Sequence, residues 1–260
     1  MQLGFEKEVK GFGDRKLNSK NVELTNRDLE IIEFIIEMKF AAIEDVFERF
    51  FKVTQNQSVA KSDLWTRKRL LQLEQGKFLK AHKLHQEKTT FYTATSKAYY
   101  ALSNIFPEKL ICKPSLSIDT RTYGHDKTVL KFRLALESRL KVTNWLSDRK
   151  LRSFPDLTGG LSGVYVPDGI YTLPGGESIA FELEIARKAK SRYGEKIRKY
   201  LSLLRSSDTT KKKFECVVFV CAKESVRDQL VKETRIYGKH FRVLTMQEFI
   251  TELNEGKNEI

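Results

Sequence analysis

GVYVPDGIYTLPGGESIAFELEIARKAKSRYGEKIRKY, residues 163–200, is the stretch on which the reading of this 260-residue chain turns. Val164, Val166, Ile170 and Leu173 surround Pro167-Asp168, and Pro174-Gly175-Gly176 supplies a turn into the largely apolar run 179–185. Two strands joined by a turn are expected, with Asp168 on the first and Glu182 and Glu184 on the second. Side chains two apart on a strand leave the same face of the pleat, so the two glutamates share a face. A carboxylate cluster beside a basic helix suits a hard cation and a phosphodiester.

The basic helix follows at once, from about Lys188 to Leu204, with Tyr193, Ile197, Tyr200, Leu201 and Leu204 on its inward stripe. Between Arg187 and Lys213 eleven Lys and Arg stand against two acids. That charge would draw a nucleic-acid backbone over the carboxylates, with strong salt dependence, and Lys188, Arg192 and Lys196 are the expected contacts. Tyr193 and Tyr200, on the apolar stripe, read as core rather than as nucleophiles.

Beyond lie a strand (214–222), a helix (225–237), a strand (241–245) and a helix (246–253). Upstream, HDKTVLKFRLALESRL (125–140) places Val129, Phe132, Leu136 and Leu140 on one stripe, and VTNWL (142–146) reads as a strand. Asp126 suits the first turn of its helix electrostatically. Pro155-Asp156 precedes Gly159-Gly160 and reads as a loop turn. The order of elements is α/β.

The first half reads differently. Residues 1–20 form a polar, glycine-bearing arm. Thr25, with Asp28 three residues on, caps a helix running to about Phe40. AAIEDVFERFF (41–51) is a second helix, with Ile43, Val46, Phe47 and Phe50 inward, and residues 58–75 are a third, stopped by Gly76. FLKAHKL and TTFYTAT then alternate as a hairpin, and SKAYYALSNIF closes the unit before a linker at 107–123. Three helices and a hairpin make the order of a winged helix-turn-helix, in which the third helix enters the major groove and the hairpin follows the backbone. Residues 58–90 hold eight Lys and Arg against three acids. Leu70, Leu71 and Leu73 face the core; Lys61, Trp65, Arg67 and Lys68 on the helix and Lys80 and Lys83 on the wing are the expected DNA contacts. The organisation is thus α+β in two domains: a winged helix at 21–106 and an α/β domain at 124–260.

Composition agrees with these assignments. Lys and Arg number 47 against 34 Asp and Glu, a formal charge of +13, which favours a polyanion, and nucleic acid above a membrane surface. The N-terminus lacks a signal-like apolar core and no run approaches a membrane span, so a cytoplasmic protein without membrane insertion is expected. Cys112, Cys216 and Cys221 lack C-x-x-C spacing and read as buried reduced thiols; the four histidines include no zinc pair.

Asp168 behind Pro167, followed by Glu182-Leu183-Glu184, resembles the PD-(D/E)xK nuclease pattern, with glutamate where lysine usually stands. The fuller set resembles the replication-relaxation family, and in particular the MobC-type relaxases of plasmid mobilisation. It comprises His125-Asp126-xx-Val129 on a helix bearing Glu137, then VPDG, FELE, Lys190 and Tyr200, behind a winged helix. The resemblance covers about residues 25–205. It implies a restriction-endonuclease-like fold and metal-dependent nicking of one strand at a transfer origin. The DNA would be the double-stranded origin, single-stranded near the nick, and a coupling protein or other relaxosome components would be partners. Asp168, Glu182 and Glu184 would hold Mg²⁺ or Mn²⁺, with the Leu183 carbonyl and Glu137 as further ligands, and His125 and Asp126 would stand near the metal. Because Glu184 cannot supply the lysine's cation, Lys188 or Lys190 would reach back to do so. The alternative is a non-catalytic DNA-binding accessory or replication regulator with a degenerate nuclease domain.

Overall fold

The computed structural model describes residues 22–53, 57–85, 87–208 and 212–256. The arm read at 1–20 lies outside them. Helix α1 (Asn26–Met38) begins where Thr25 and Asp28 cap each other: Asp28 N donates to Thr25 Oγ1 at 3.3 Å and Thr25 N to Asp28 Oδ2 at 2.7 Å. Its isoleucines 31, 32, 35 and 36 are buried, each stabilising by about 1.5–3 kcal/mol relative to exposure. The helix ends at Lys39, a non-glycine residue at φ 71°.

The second helix starts later than its sequence suggests. Ala41–Ala42 is a strand, β1, paired antiparallel with Tyr92 and Phe91, and only Ile43–Val46 is α-helical (α2) before a π-helical turn at Phe47–Phe51. Helix α3 (Leu64–Gln75) also starts later, because Val53 and Val59 form a β-bridge that holds the preceding chain extended. Leu70 and Leu73 are buried, but Leu71, about 100° further round the helix, is 48% exposed rather than core. Strands β2 (Leu79–Lys83) and β3 (Thr90–Ala94) complete a sheet ordered β1-β3-β2, and α4 (Ser96–Ile105) follows, capped by Thr95.

In the second half, α5 (Tyr123–Ala135) passes through a π-helical turn at Leu136–Leu140 into β4 (Thr143–Ser147) and α6 (Asp148–Ser153). Helix α6 is invisible in the sequence pattern because only Leu151 of DRKLRS is buried; Ser147 caps it through the Lys150 N–H. The first strand of the opening stretch is shorter than expected. Gly163–Tyr165 makes a 3-10 turn and β5 spans Gly169–Thr172, so Asp168 precedes the strand. Pro167, with no N–H to give a ladder, stands just before it. Then come β6 (Ser178–Glu184), α7 (Lys190–Leu204), β7 (Cys216–Cys221), α8 (Glu224–Thr234), β8 (Phe241–Thr245) and α9 (Met246–Glu255). The sheet runs β4-β5-β6-β7-β8, antiparallel up to β6 and parallel beyond, so the fold is mixed α and β.

Central strand β6 alternates. Ile179, Phe181 and Leu183 join an apolar cluster with α5 and α9, while Ala180 joins the cluster under α7 and α8. Glu182 and Glu184 keep the parity of Ala180 and therefore point toward α7. The first cluster continues from α1 through Phe132 and Trp145 to Phe249, binding the two halves through one core. Buried Arg133 also pairs with Glu37 of α1 at 3.0 Å.

Candidate active site and DNA-facing surface

Asp168 is the first group the fold fixes. Its backbone N–H donates to Phe181 O at 3.0 Å and its carbonyl accepts from Asp148 N at 3.1 Å, so both neighbouring segments clamp it. Its Oδ2 accepts the Leu183 N–H at 2.8 Å and lies 3.2 Å from His125 Nε2. Glu182 reaches α7, where Lys196 Nζ stands 2.5 Å from Oε2 and the Tyr200 hydroxyl donates to Oε1. Glu184 meets Lys188 Nζ at 2.7 Å from Oε2 and 2.9 Å from Oε1, with the directed hydrogen bond to Oε1, and Lys196 at 3.6 Å. His125, Asp168, Glu182, Lys188, Arg192 and Lys196 line one cleft of about 200 Å³, with Arg152 and Tyr165 at its wall.

Burial opposes every charge here, and the partners decide the outcome. Desolvation pushes Glu182 up to about 7, aided by the charges of Asp168 and Glu184 and resisted by Lys196. For Asp168 burial is outweighed by His125, Lys196 and the Leu183 N–H, which hold its carboxyl below the usual range. His125 loses to burial but gains more from Asp126 and Asp168, which hold it up to about 10. Lys196 is likewise raised by Glu182, Glu184 and Asp168 against the cost of burial. Burial and the Glu182 charge keep the Tyr200 phenol far above its ordinary value, so it serves as a hydrogen-bond donor.

Lysine is therefore present beside the glutamates, but on the helix. No family model, curated protein or solved structure matches the chain in these comparisons. Lys190, expected to reach back, instead projects outward, its side chain 79% exposed, and pairs with Glu233 at 3.4 Å. Lys196, expected on the DNA-facing side, is 7% exposed and buried against the carboxylates. The signal for it was present in the sequence: Lys196 follows Tyr193 by three and precedes Tyr200 by four, so helical period puts it on the inward stripe.

The remaining expectations divide. His125 enters the cleft; Asp126 stands behind it, its Oδ1 3.4 Å from His125 Nδ1 and 2.7 Å from Lys39 Nζ. Glu137 does not approach: it lies about three helical turns beyond His125, where Arg49 and Arg133 hold it in a separate cleft of about 840 Å³ between the halves. Exposed Asp156 sits on a 3-10 turn. Tyr193 and Tyr200 are buried as expected, although Tyr193 also lines the cleft. Arg152 and Lys39 were missed by sequence reasoning because their elements carry no chemical pattern.

Asp168 and Glu182 are hard oxygen donors suited to Mg²⁺ or Mn²⁺ held by one or two carboxylates and completed by water and phosphate. Among the described residues no group of three or more His, Cys, Asp or Glu forms a ready-made metal cage.

On the other half, Lys61, Trp65, Arg67, Lys68, Lys80 and Lys83 are all exposed. Trp65 is 65% exposed with the Lys68 ammonium 5.2 Å from its ring centroid. Arg67 is partly spent on Asp63, at 3.0 and 2.6 Å. Arg69 is structural: it forks onto Asp28 at 2.7 and 2.5 Å and ties α3 to α1. No helix among the described residues is long and apolar enough to cross a membrane.

Proposed function

We propose that the chain is a metal-dependent DNA endonuclease that nicks one strand, its first half gripping duplex DNA and its second half cutting. The observation that carries this reading is the meeting of Asp168, Glu182 and Lys196 in one cleft, with Arg152, Lys188 and Arg192 lining it. Lys196 supplies from the helix the cation that Glu184 cannot, and stands where a developing phosphate charge is stabilised. Arg152, Lys188 and Arg192 orient the phosphodiester, and Asp168 and Glu182 would hold the ion. When bound, Mg²⁺ or Mn²⁺ would polarise the phosphate and lower the pKa of a bound water. The element order α1-β1-α2-α3-β2-β3 with exposed basic α3 supports a winged helix-turn-helix at 21–106, and the mixed sheet supports a restriction-endonuclease-like core. The narrower role, a relaxase acting at a plasmid transfer origin with a coupling protein and relaxosome partners, rests on the resemblance to MobC-type proteins.

The test is conversion of supercoiled plasmid carrying the native mobilisation region to open circle, with Mg²⁺ or Mn²⁺ against EDTA. The expected outcome is metal-dependent nicking, lowered at least about 100-fold by Asp168→Ala and by Lys196→Met with duplex affinity nearly unchanged. Tight binding without nicking under either metal would favour the second reading, a DNA-binding accessory or regulator. That reading has its own support: the glutamates are already paired within the chain, Glu182 by Lys196 and Glu184 by Lys188.

A further inference from the structure

The first half reaches toward the cleft through the first turns of α5 and α6. Lys39, at the end of α1, extends its ammonium 2.7 Å from Asp126 Oδ1 and 3.4 Å from Asp148 Oδ2. Each of these acids leads to Asp168. Asp126 backs His125, whose Nε2 is 3.2 Å from Asp168 Oδ2. Asp148 donates its backbone N–H to the Asp168 carbonyl at 3.1 Å. Asp126 is fixed further by the Thr122 hydroxyl at 2.8 Å. Lys39 thus holds both the side-chain and the main-chain route to one carboxylate.

The β2–β3 loop grips the α5 turn from outside. Glu87 accepts from the Tyr123 hydroxyl at 2.6 Å and pairs with Lys127 at 2.5 Å. Tyr123 stacks on Phe40, the residue after Lys39, with centroids 5.5 Å apart and planes at 29°, and meets Phe91 of β3 edge-on. Lys39 itself stands at φ 71°, ψ −42°, a conformation that side-chain-bearing residues seldom adopt. It is the C-cap residue of α1, its N–H bonded to the Ile36 carbonyl, so the backbone there is fixed as the ammonium leaves for the two aspartates.

We infer that Lys39 is a positioning residue for the proposed cleavage: through the first turns of α5 and α6 it aims the Asp168 carboxylate, and it makes that aim depend on the half that grips DNA. The inference rests on the nuclease reading for its consequence but not for its geometry. The Lys39 ammonium meets Asp126 and Asp148 and acts on Asp168 through them and His125. Loss of an outer partner of this kind typically lowers activity or metal affinity about 10–100-fold.

The experiment compares wild type with Lys39→Met, which keeps the aliphatic volume, and Lys39→Arg, which keeps the charge. Single-turnover nicking is measured at saturating DNA, alongside duplex Kd and the ring N–H signals of His125 in a ¹⁵N-histidine-labelled protein. Expected is a 10–100-fold lower rate in Lys39→Met with Kd within about twofold, substantial recovery in Lys39→Arg, and loss of the hydrogen-bonded His125 ring signals only in the methionine variant. A purely structural role would lower the melting temperature while leaving the rate of the folded protein and the His125 signals as in wild type, and that result overturns the inference. If wild type does not nick at all, the nuclease reading fails on its own. The ring signals then still decide: retained in wild type and lost in Lys39→Met they uphold the positioning role, and retained in both they refute it.

Discussion

Asp28 illustrates how much one residue carries at the start of this chain. It completes the α1 cap, it is 1% exposed, and both its oxygens take the Arg69 fork. Burial works against its charge, but Arg69 and Thr25 outweigh it and hold the carboxyl below its ordinary 3.8. A depressed folded-state pKa contributes stability that is present above the unfolded value and is lost as pH falls through the folded one. Asp28→Ala is therefore expected to cost about 1–3 kcal/mol at neutral pH, because the partly exposed Arg69 guanidinium loses its main partner and the helix its cap. Urea melts should find that the gap between wild type and variant narrows below about pH 4; a gap constant down to the lowest pH would contradict the assignment. Lys196 makes the same point in the cleft, where one ammonium is shared by Glu182 at 2.5 Å and Glu184 at 3.6 Å.

At the scale of elements, α3 and β6 divide the labour proposed for the chain. Helix α3 buries Thr66, Leu70 and Leu73 and leaves Trp65 and Lys68 outward, and Lys61 is exposed just before it, so charge removal there should leave the fold intact. Lys61→Ala and Lys68→Ala are each expected to weaken duplex binding about equally across sequences and to reduce the salt slope by about one. Trp65→Ala should weaken binding without changing that slope; titrations at several salt concentrations separate the two. Strand β6 shows what periodicity conveys and what it omits. Its alternation told which face the two glutamates share, but not that the opposite wall of that face is a lysine and a tyrosine from α7. Helix α5 shows the limit of analogy: the resemblance put Glu137 near the metal, whereas it pairs with Arg49 and with Arg133, four residues before it on the same face of the helix.

For the whole molecule the decisive feature is the shared core. Apolar contacts run without a break from Leu29 of α1 through Phe132 and Trp145 to Phe249 of α9, and Arg133, Lys39 and Arg49 carry ion pairs across the same boundary. The chain is therefore expected to unfold in one cooperative transition, with calorimetric and van't Hoff enthalpies equal; two resolved transitions would show that the halves are energetically separate. The amino-acid sequence by itself determined the α1 cap, the strand alternation that pairs Glu182 with Glu184, most element boundaries of the second half and the basic balance, because each follows from period or from groups within a few residues. Only the tertiary structure decided which lysine serves the glutamates, where Glu137 points, and that Lys39 stands behind His125. Those choices join residues 14 to 88 positions apart, such as Lys196 with Glu182 and Arg49 with Glu137, and they are set by how helices dock on a sheet, which no local pattern encodes.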